Sequence, residues 1–78
     1  MARFDGKVIV VTGAARGLGR AAANLFSEQG ASLALVDILG DEIGSLVGEL
    51  GGDAKPFTAD LSKVSQVREV VGQITSAF

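Results

Sequence analysis

Hydrophobic and polar residues fall in alternating blocks along this chain. Residues 8–11 are Val-Ile-Val-Val, four β-branched residues in a row. Such a run is long enough for a strand covered on both faces and too short for a helix. The spacing then changes to a helical one. Leu18, Ala21, Ala22, Leu25 and Phe26 follow the i, i+3, i+4, i+7, i+8 pattern of one buried face. This predicts a helix over residues 18–29, with Gly30 as a left-handed C-terminal cap. Leu33 to Val36 form a second block without polar alternation, a strand over 32–36 that closes on Asp37.

The second half of the chain repeats the alternation. Asp41 is an expected N-cap for a helix over 42–50, with Ile43, Leu46, Val47 and Leu50 on one face. Gly44 and Gly48 each cost that helix about 1 kcal/mol relative to Ala; close approach of another backbone or simple tolerance accounts for them. Gly51-Gly52 end it. A short third strand is expected over 55–59, with Pro56 near its start, where a missing N–H is harmless. Ser62 is expected to cap a third helix carrying Val64, Val67, Val70, Val71, Ile74 and Phe78 on one face.

Strands alternating with helices through short connections imply an α/β fold with a parallel sheet and right-handed crossovers. The order β-α-β-α-β-α gives strand order 3-2-1, one half of a doubly wound, Rossmann-type sheet. Strand one is then an edge, although residues 8–11 are the most apolar strand sequence here. Natural proteins avoid long apolar edges. A missing neighbour is therefore expected, and residues 1–78 read as a fragment, or as a chain that needs a partner.

Composition narrows the chemistry. Seventy-eight residues make one small domain at most, burying only roughly 60–65% of the unfolded surface. The net charge of −2 offers no basic patch for nucleic acid or for an anionic membrane. Residues 1–6 lack the apolar core of a signal peptide, with Asp5-Gly6 as a turn signal, and no apolar run reaches the length of a membrane span. A soluble, cytoplasmic protein is expected. The chain has no His, Cys, Tyr or Trp, so the usual general acids, bases and nucleophiles are missing.

Between the first strand and the first helix stand Gly13, Gly17 and Gly19. A buried strand, a glycine turn and a helix N-terminus together make a phosphate site. Glycines let the backbone approach an anion, and free N–H groups and the helix dipole favour negative charge there. The spacing is neither G-x-G-x-x-G nor a P-loop. It reads Thr-Gly-x-x-x-Gly-x-Gly, from Thr12 to Gly19.

That pattern, with the wording Ala14-Ala15-Arg16-Gly17-Leu18-Gly19, resembles the cofactor motif of the short-chain dehydrogenase/reductase family. Asp37 and Asp60-Leu61 stand at the family's other two stations, and the resemblance extends over the whole chain. It implies that Gly13, Arg16, Gly17, Leu18 and Gly19 cradle the pyrophosphate of a nicotinamide dinucleotide. Asp37, 18 residues after Gly19, accepts hydrogen bonds from the adenosine ribose, with Ile38 beside it. Asp60 and Leu61 contact the adenine ring. A carboxylate at Asp37 repels a 2′-phosphate and so favours NAD over NADP; Arg16 pulls the other way, because some NADP-preferring members carry a basic residue in this turn. Arg3, Arg20, Glu28, Glu42, Glu49, Arg68 and Glu69 are assigned to solvated surface without chemistry.

In that family catalysis rests on Tyr-x-x-x-Lys, Ser and Asn, which move a hydride between the cofactor and an alcohol or carbonyl substrate. None of the positions here matches those motifs, so no catalytic residue is assigned. Two readings follow: the N-terminal portion of an NAD-dependent oxidoreductase, or a stand-alone nucleotide-binding or interaction module. The resemblance also implies a homo-oligomer. The substrate is not legible.

Overall fold

The computed structural model describes residues 3–78, arranged as β1 (Val8–Thr12), α1 (Gly17–Glu28), β2 (Ser32–Asp37), α2 (Gly40–Leu50), β3 (Ala54–Thr58) and α3 (Val64–Ala77). The three strands form one parallel sheet in the order β1-β2-β3. Val8 to Thr12 lie opposite Ser32 to Val36, and Leu33 to Asp37 opposite Ala54 to Thr58. This is the Rossmann-type half-sheet that the alternation of blocks predicts.

The central strand explains the fold. Leu33, Ala34, Leu35 and Val36 are all buried, as a parallel strand covered on both faces requires. Leu33 and Leu35 pack with Val11, Ala23, Ile43 and Leu46 beneath α1 and α2. Val36 points to the other face, where it meets Ala59 and Val70, with Phe57 and Ile74 alongside. Helices α1 and α2 therefore share one face of the sheet, and α3 covers part of the other. Burying each of Leu33, Leu35, Ile43 and Leu46 contributes about 1.5–3 kcal/mol.

Expectation and structure part at β1. Ile9 and Val11 pack towards α1, but Val8 and Val10 stay 48% and 50% exposed on the opposite face. The strand is covered on one face only, because α3 lies over β2 and β3 and leaves the outer side of β1 bare.

The buried face of α1 also differs from the predicted stripe. Leu18 and Leu25 are 87% and 62% exposed, and the one fully buried residue is Ala23. Gly19, Ala23 and Phe26 form the inward stripe instead. The cause is proximity: a Cβ at Gly19 would overlap the Gly13 carbonyl oxygen. A helix pressed this close to the strand turn must face it with small residues. Phe26 meets Phe4 edge-on, with ring centroids 5.4 Å apart. Gly30 caps α1 as predicted, at φ +85°. Its N–H donates to the Ser27 carbonyl, and the Ala31 N–H donates to that of Phe26, the bond pair of a Schellman motif.

Two predicted caps are not formed. Asp41 lies inside the first turn of α2, whose N-cap is Leu39. Ser62 does not cap α3, which starts after Lys63; its hydroxyl donates to Asp60 instead. Ile43 and Leu46 are buried and Val47 and Leu50 half-buried, so the predicted face of α2 holds. No atom lies within 4 Å of a Cβ placed at Gly44 or Gly48, so tolerance, not close approach, accounts for them here. Pro56 sits in the middle of β3 rather than near its start. The Ala59 N–H donates to the Asp37 carbonyl and the Leu33 N–H to the Asp53 carbonyl, so odd-numbered positions of β3 face β2. Pro56 then turns its nitrogen to the open edge, where no N–H is needed.

Candidate functional site

A parallel sheet delivers all its strand-to-helix turns to one edge, and every predicted site residue stands there. Gly13 follows β1 at φ +65° and Gly17 opens α1 at φ +58°, a region that side-chain-bearing residues seldom adopt. Between them Ala14 and Ala15 are buried and anchor the turn. The Ala14 N–H donates to the Val36 carbonyl at 3.3 Å. The N-cap of α1 is Arg16, whose side chain makes no cap hydrogen bond, and the first turn holds no acidic residue. The leading N–H groups of α1, which no carbonyl of the helix can receive, are left to an outside acceptor.

Asp37 ends β2 beside this turn. One carboxylate oxygen accepts the Ala15 N–H at 3.1 Å, and the other accepts the Leu39 N–H at 3.0 Å. The side chain thus joins the glycine turn to the loop before α2 and keeps a lone pair on each oxygen for a further donor. Ile38, next in the chain, is 60% exposed and borders an open hollow with Leu39, Gly40, Asp41 and Glu42.

Sequence reasoning missed the ion pairs across this edge. Arg16 holds Glu42 with two bonds, Nε to Oε2 at 2.9 Å and Nη2 to Oε1 at 2.6 Å. Arg20 reaches Glu49 at 2.6 Å. Arg16 keeps the Glu42 carboxyl below its ordinary value, mainly through the hydrogen bond, and Glu42 raises the guanidinium in turn. The sequence places Glu42 and Glu49 on solvated surface without chemistry; the structure pairs them with Arg16 and Arg20. The available signal was two basic residues four apart, at the N-cap and in the first turn of α1, and two acidic residues seven apart on α2, once the two helices are known to lie side by side.

The last station is less close. Asp60 follows β3, two strands from the glycine turn. Its Oδ1 accepts the Ser62 hydroxyl at 2.6 Å and the Ser62 N–H at 3.0 Å, bonds that hold its carboxyl below the ordinary value. The Asp60 N–H donates to Gln66 Oε1 at 2.7 Å. Leu61 faces the α3 side and lines an apolar cavity of about 330 Å³ with Val10, Thr12, Val67 and Val71. Leu18 stands out into solvent from the first turn of α1. The structure therefore gathers Gly13, Arg16, Gly17, Gly19 and Asp37 into one cluster, with Ile38 at its rim and Asp60 and Leu61 apart.

Among the described residues, no group of three or more potential ligands is placed to hold a metal ion, and no helix is long and apolar enough to cross a membrane.

Comparison with known proteins agrees with this geometry. A 3-oxoacyl-(acyl-carrier-protein) reductase of Thermotoga maritima is 35% identical, over 97% of this chain and 32% of its own length. A 3-ketoacyl-(acyl-carrier-protein) reductase from Brucella melitensis, solved with NADH, superposes with a TM-score of 0.90 at 35% identity, over 95% of this chain and 31% of that one. A short chain dehydrogenase/reductase from Burkholderia phymatum, solved with NAD, gives 0.91 at 34% identity, over 100% and 29%. The chain thus spans about a third of the length of the relatives it matches. The family model for short chain dehydrogenases matches residues 7–78, from the residue before β1 to the residue after α3, and to that family the chain belongs.

Proposed function

We propose that this chain holds the adenosine and pyrophosphate of a nicotinamide dinucleotide, NAD in preference to NADP. It does so as part of an oxidoreductase that moves a hydride between that cofactor and an alcohol or carbonyl substrate. One observation carries the reading: the Asp37 carboxylate stands within hydrogen-bond distance of the glycine turn that leads into the uncapped start of α1. An anion acceptor and a diol acceptor thus stand side by side, the two halves of a ribose-pyrophosphate site.

The residues fit such a ligand. No atom lies within 4 Å of a Cβ placed at Gly13 or Gly17, so the turn is open above its backbone. In this reading the first N–H groups of α1 take the pyrophosphate, and the free lone pairs of Asp37 take the ribose hydroxyls. Gly19 lets α1 start against Gly13, Leu18 and Ile38 flank the ligand, and Asp60 and Leu61 border the adenine. Bound nicotinamide supplies the hydride acceptor or donor. Solved relatives of this family carry NADH or NAD, which supports the choice of cofactor class.

In the same reading, residues 1–78 form the first part of a larger dinucleotide-binding domain. The half-exposed Val8 and Val10 on the edge strand support it, since a further strand and its crossover would cover them.

The test is calorimetric titration of the full-length natural protein with NAD+ and NADP+. NAD+ binds more tightly, and Asp37→Arg reverses the order. Absence of binding by either nucleotide to the folded protein would refute the reading.

A further inference from the structure

The site holds a cation that is already engaged. Arg16 is the basic residue of the glycine turn, directly after Ala15, whose N–H is bonded to Asp37. From that position its side chain has two uses: reach over the ribose end of the site, or turn towards α2. The structure shows the second, with both donor positions of the guanidinium edge filled by the two oxygens of Glu42. Glu42 stands in the first turn of α2 with Asp41, where a carboxylate suits the helix dipole. Arg16, by contrast, sits at the positive end of α1 and gains nothing from that helix.

We infer that Glu42 is a specificity-determining residue that acts by holding Arg16 away from the ribose end of the site, so that discrimination against NADP is shared between Asp37 and Glu42. The inference rests on the cofactor reading above. Arginine forks onto phosphate as readily as onto carboxylate, so a 2′-phosphate competes with Glu42 for the same guanidinium edge. To gain that edge it must first break the pair, and the freed Glu42 would then add a second negative charge near Asp37. A ribose 2′-hydroxyl makes no such demand. Asp37 excludes the phosphate by repulsion, and Glu42 withholds the side chain that would otherwise compensate. Glu42 is here a positioning residue, because it acts through Arg16.

Glu42→Gln and the double variant Arg16→Ala/Glu42→Gln, made in the full-length natural protein, separate this role from a structural one. Dissociation constants for NAD+ and NADP+ are measured by calorimetry at low and high salt. In Glu42→Gln the ratio of the NADP+ constant to the NAD+ constant falls about two- to fivefold, the scale of one exposed ion pair. The fall is lost in the double variant and shrinks as salt screens the contact. A merely structural role would weaken both nucleotides together and leave the ratio unmoved. An unmoved ratio in Glu42→Gln, or a fall that persists in the double variant, overturns the inference while leaving NAD+ binding by the parent intact. A parent protein that binds neither nucleotide overturns the cofactor reading, and this inference with it.

Discussion

Asp37 and Ala15, 22 residues apart, are joined by a 3.1 Å hydrogen bond from the Ala15 N–H to the Asp37 carboxylate. The bond fixes the end of β2 against the glycine turn, so the residue read as the ribose acceptor is also part of the scaffold that shapes the pyrophosphate turn. Asp37→Ala removes two backbone partners at once, those of Ala15 and Leu39. Loss of hydrogen bonds to a charged acceptor costs roughly 1–3 kcal/mol each when the donors are left without water. The Leu39 N–H is exposed and can turn to water, so the expected loss is that of the Ala15 bond alone, about 1–3 kcal/mol in urea unfolding, with NAD+ affinity reduced at least tenfold. Asp37→Asn keeps an acceptor and loses less stability. Equal stability of the Ala and Asn variants would show that the tie is not structural.

Gly19, Gly44 and Gly48, three of the glycines within helices, separate by what surrounds them. A methyl group at Gly19 overlaps the Gly13 carbonyl, which is backbone and cannot step aside without moving the turn. Gly19→Ala is expected to destabilise by about 1–3 kcal/mol, as overpacking does, and to weaken nucleotide binding. Gly44→Ala and Gly48→Ala meet open space and gain helix propensity, each raising stability by about 0.5–1 kcal/mol. Thermal unfolding of the three variants checks the contrast. Stabilisation by Gly19→Ala would contradict the close packing of α1 on β1.

How much of this was written in the sequence depends on which force decides each feature. The order of elements and the burial of Leu33 to Val36 follow from block hydropathy, and both were legible. The glycine motif was legible because a positive φ at Gly13 and Gly17 and a contact at Gly19 each demand glycine. The inner face of α1 was not. Leu18 and Leu25 outweigh Ala23 on any hydropathy pattern, yet closeness to β1 selects small residues and turns the leucines outward. The caps misled for a related reason. Asp41 and Ser62 carry capping side chains, but Asp37 takes the N–H of Leu39, the N-cap of α2, and Asp60 takes the Ser62 hydroxyl. The Arg16–Glu42 pair needed the side-by-side placement of α1 and α2, which no local pattern gives.

Three carboxylates are held below their ordinary pKa in the folded state. Ser62 holds Asp60 below its ordinary 3.8, Lys55 and Ser32 do the same for Asp53, and Arg16 holds Glu42 below 4.5. A carboxyl lowered in the folded state stabilises fully above its unfolded pKa, and that stabilisation is lost as pH falls through the folded value. Stability is therefore expected to be flat from pH 8 to about 5, since the chain has no His, and to decline below about 4.5. All three groups are solvent-exposed, so the decline is shallow and salt weakens it. Urea midpoints measured against pH check this. A decline that begins near pH 6 would contradict the assignment.

The bare side of β1 yields the sharpest test of the proposed larger domain. Val10 is 50% exposed in this chain and lines the apolar cavity under α3. If nothing further covered it, Val10→Asp would leave the carboxylate in reach of water and cost about 1 kcal/mol, the span of strand propensities. A neighbouring strand and crossover would instead bury that carboxylate without a partner, at about 3–5 kcal/mol. The full-length natural protein is expected to show the larger loss by urea unfolding, while Val10→Thr, which keeps the branched shape, loses less. Ile9, packed towards α1 on the other face, is the internal reference, because Ile9→Asp is costly in either case. A Val10→Asp loss of about 1 kcal/mol or less beside a large Ile9→Asp loss would show that β1 remains an open edge and would end the larger-domain reading.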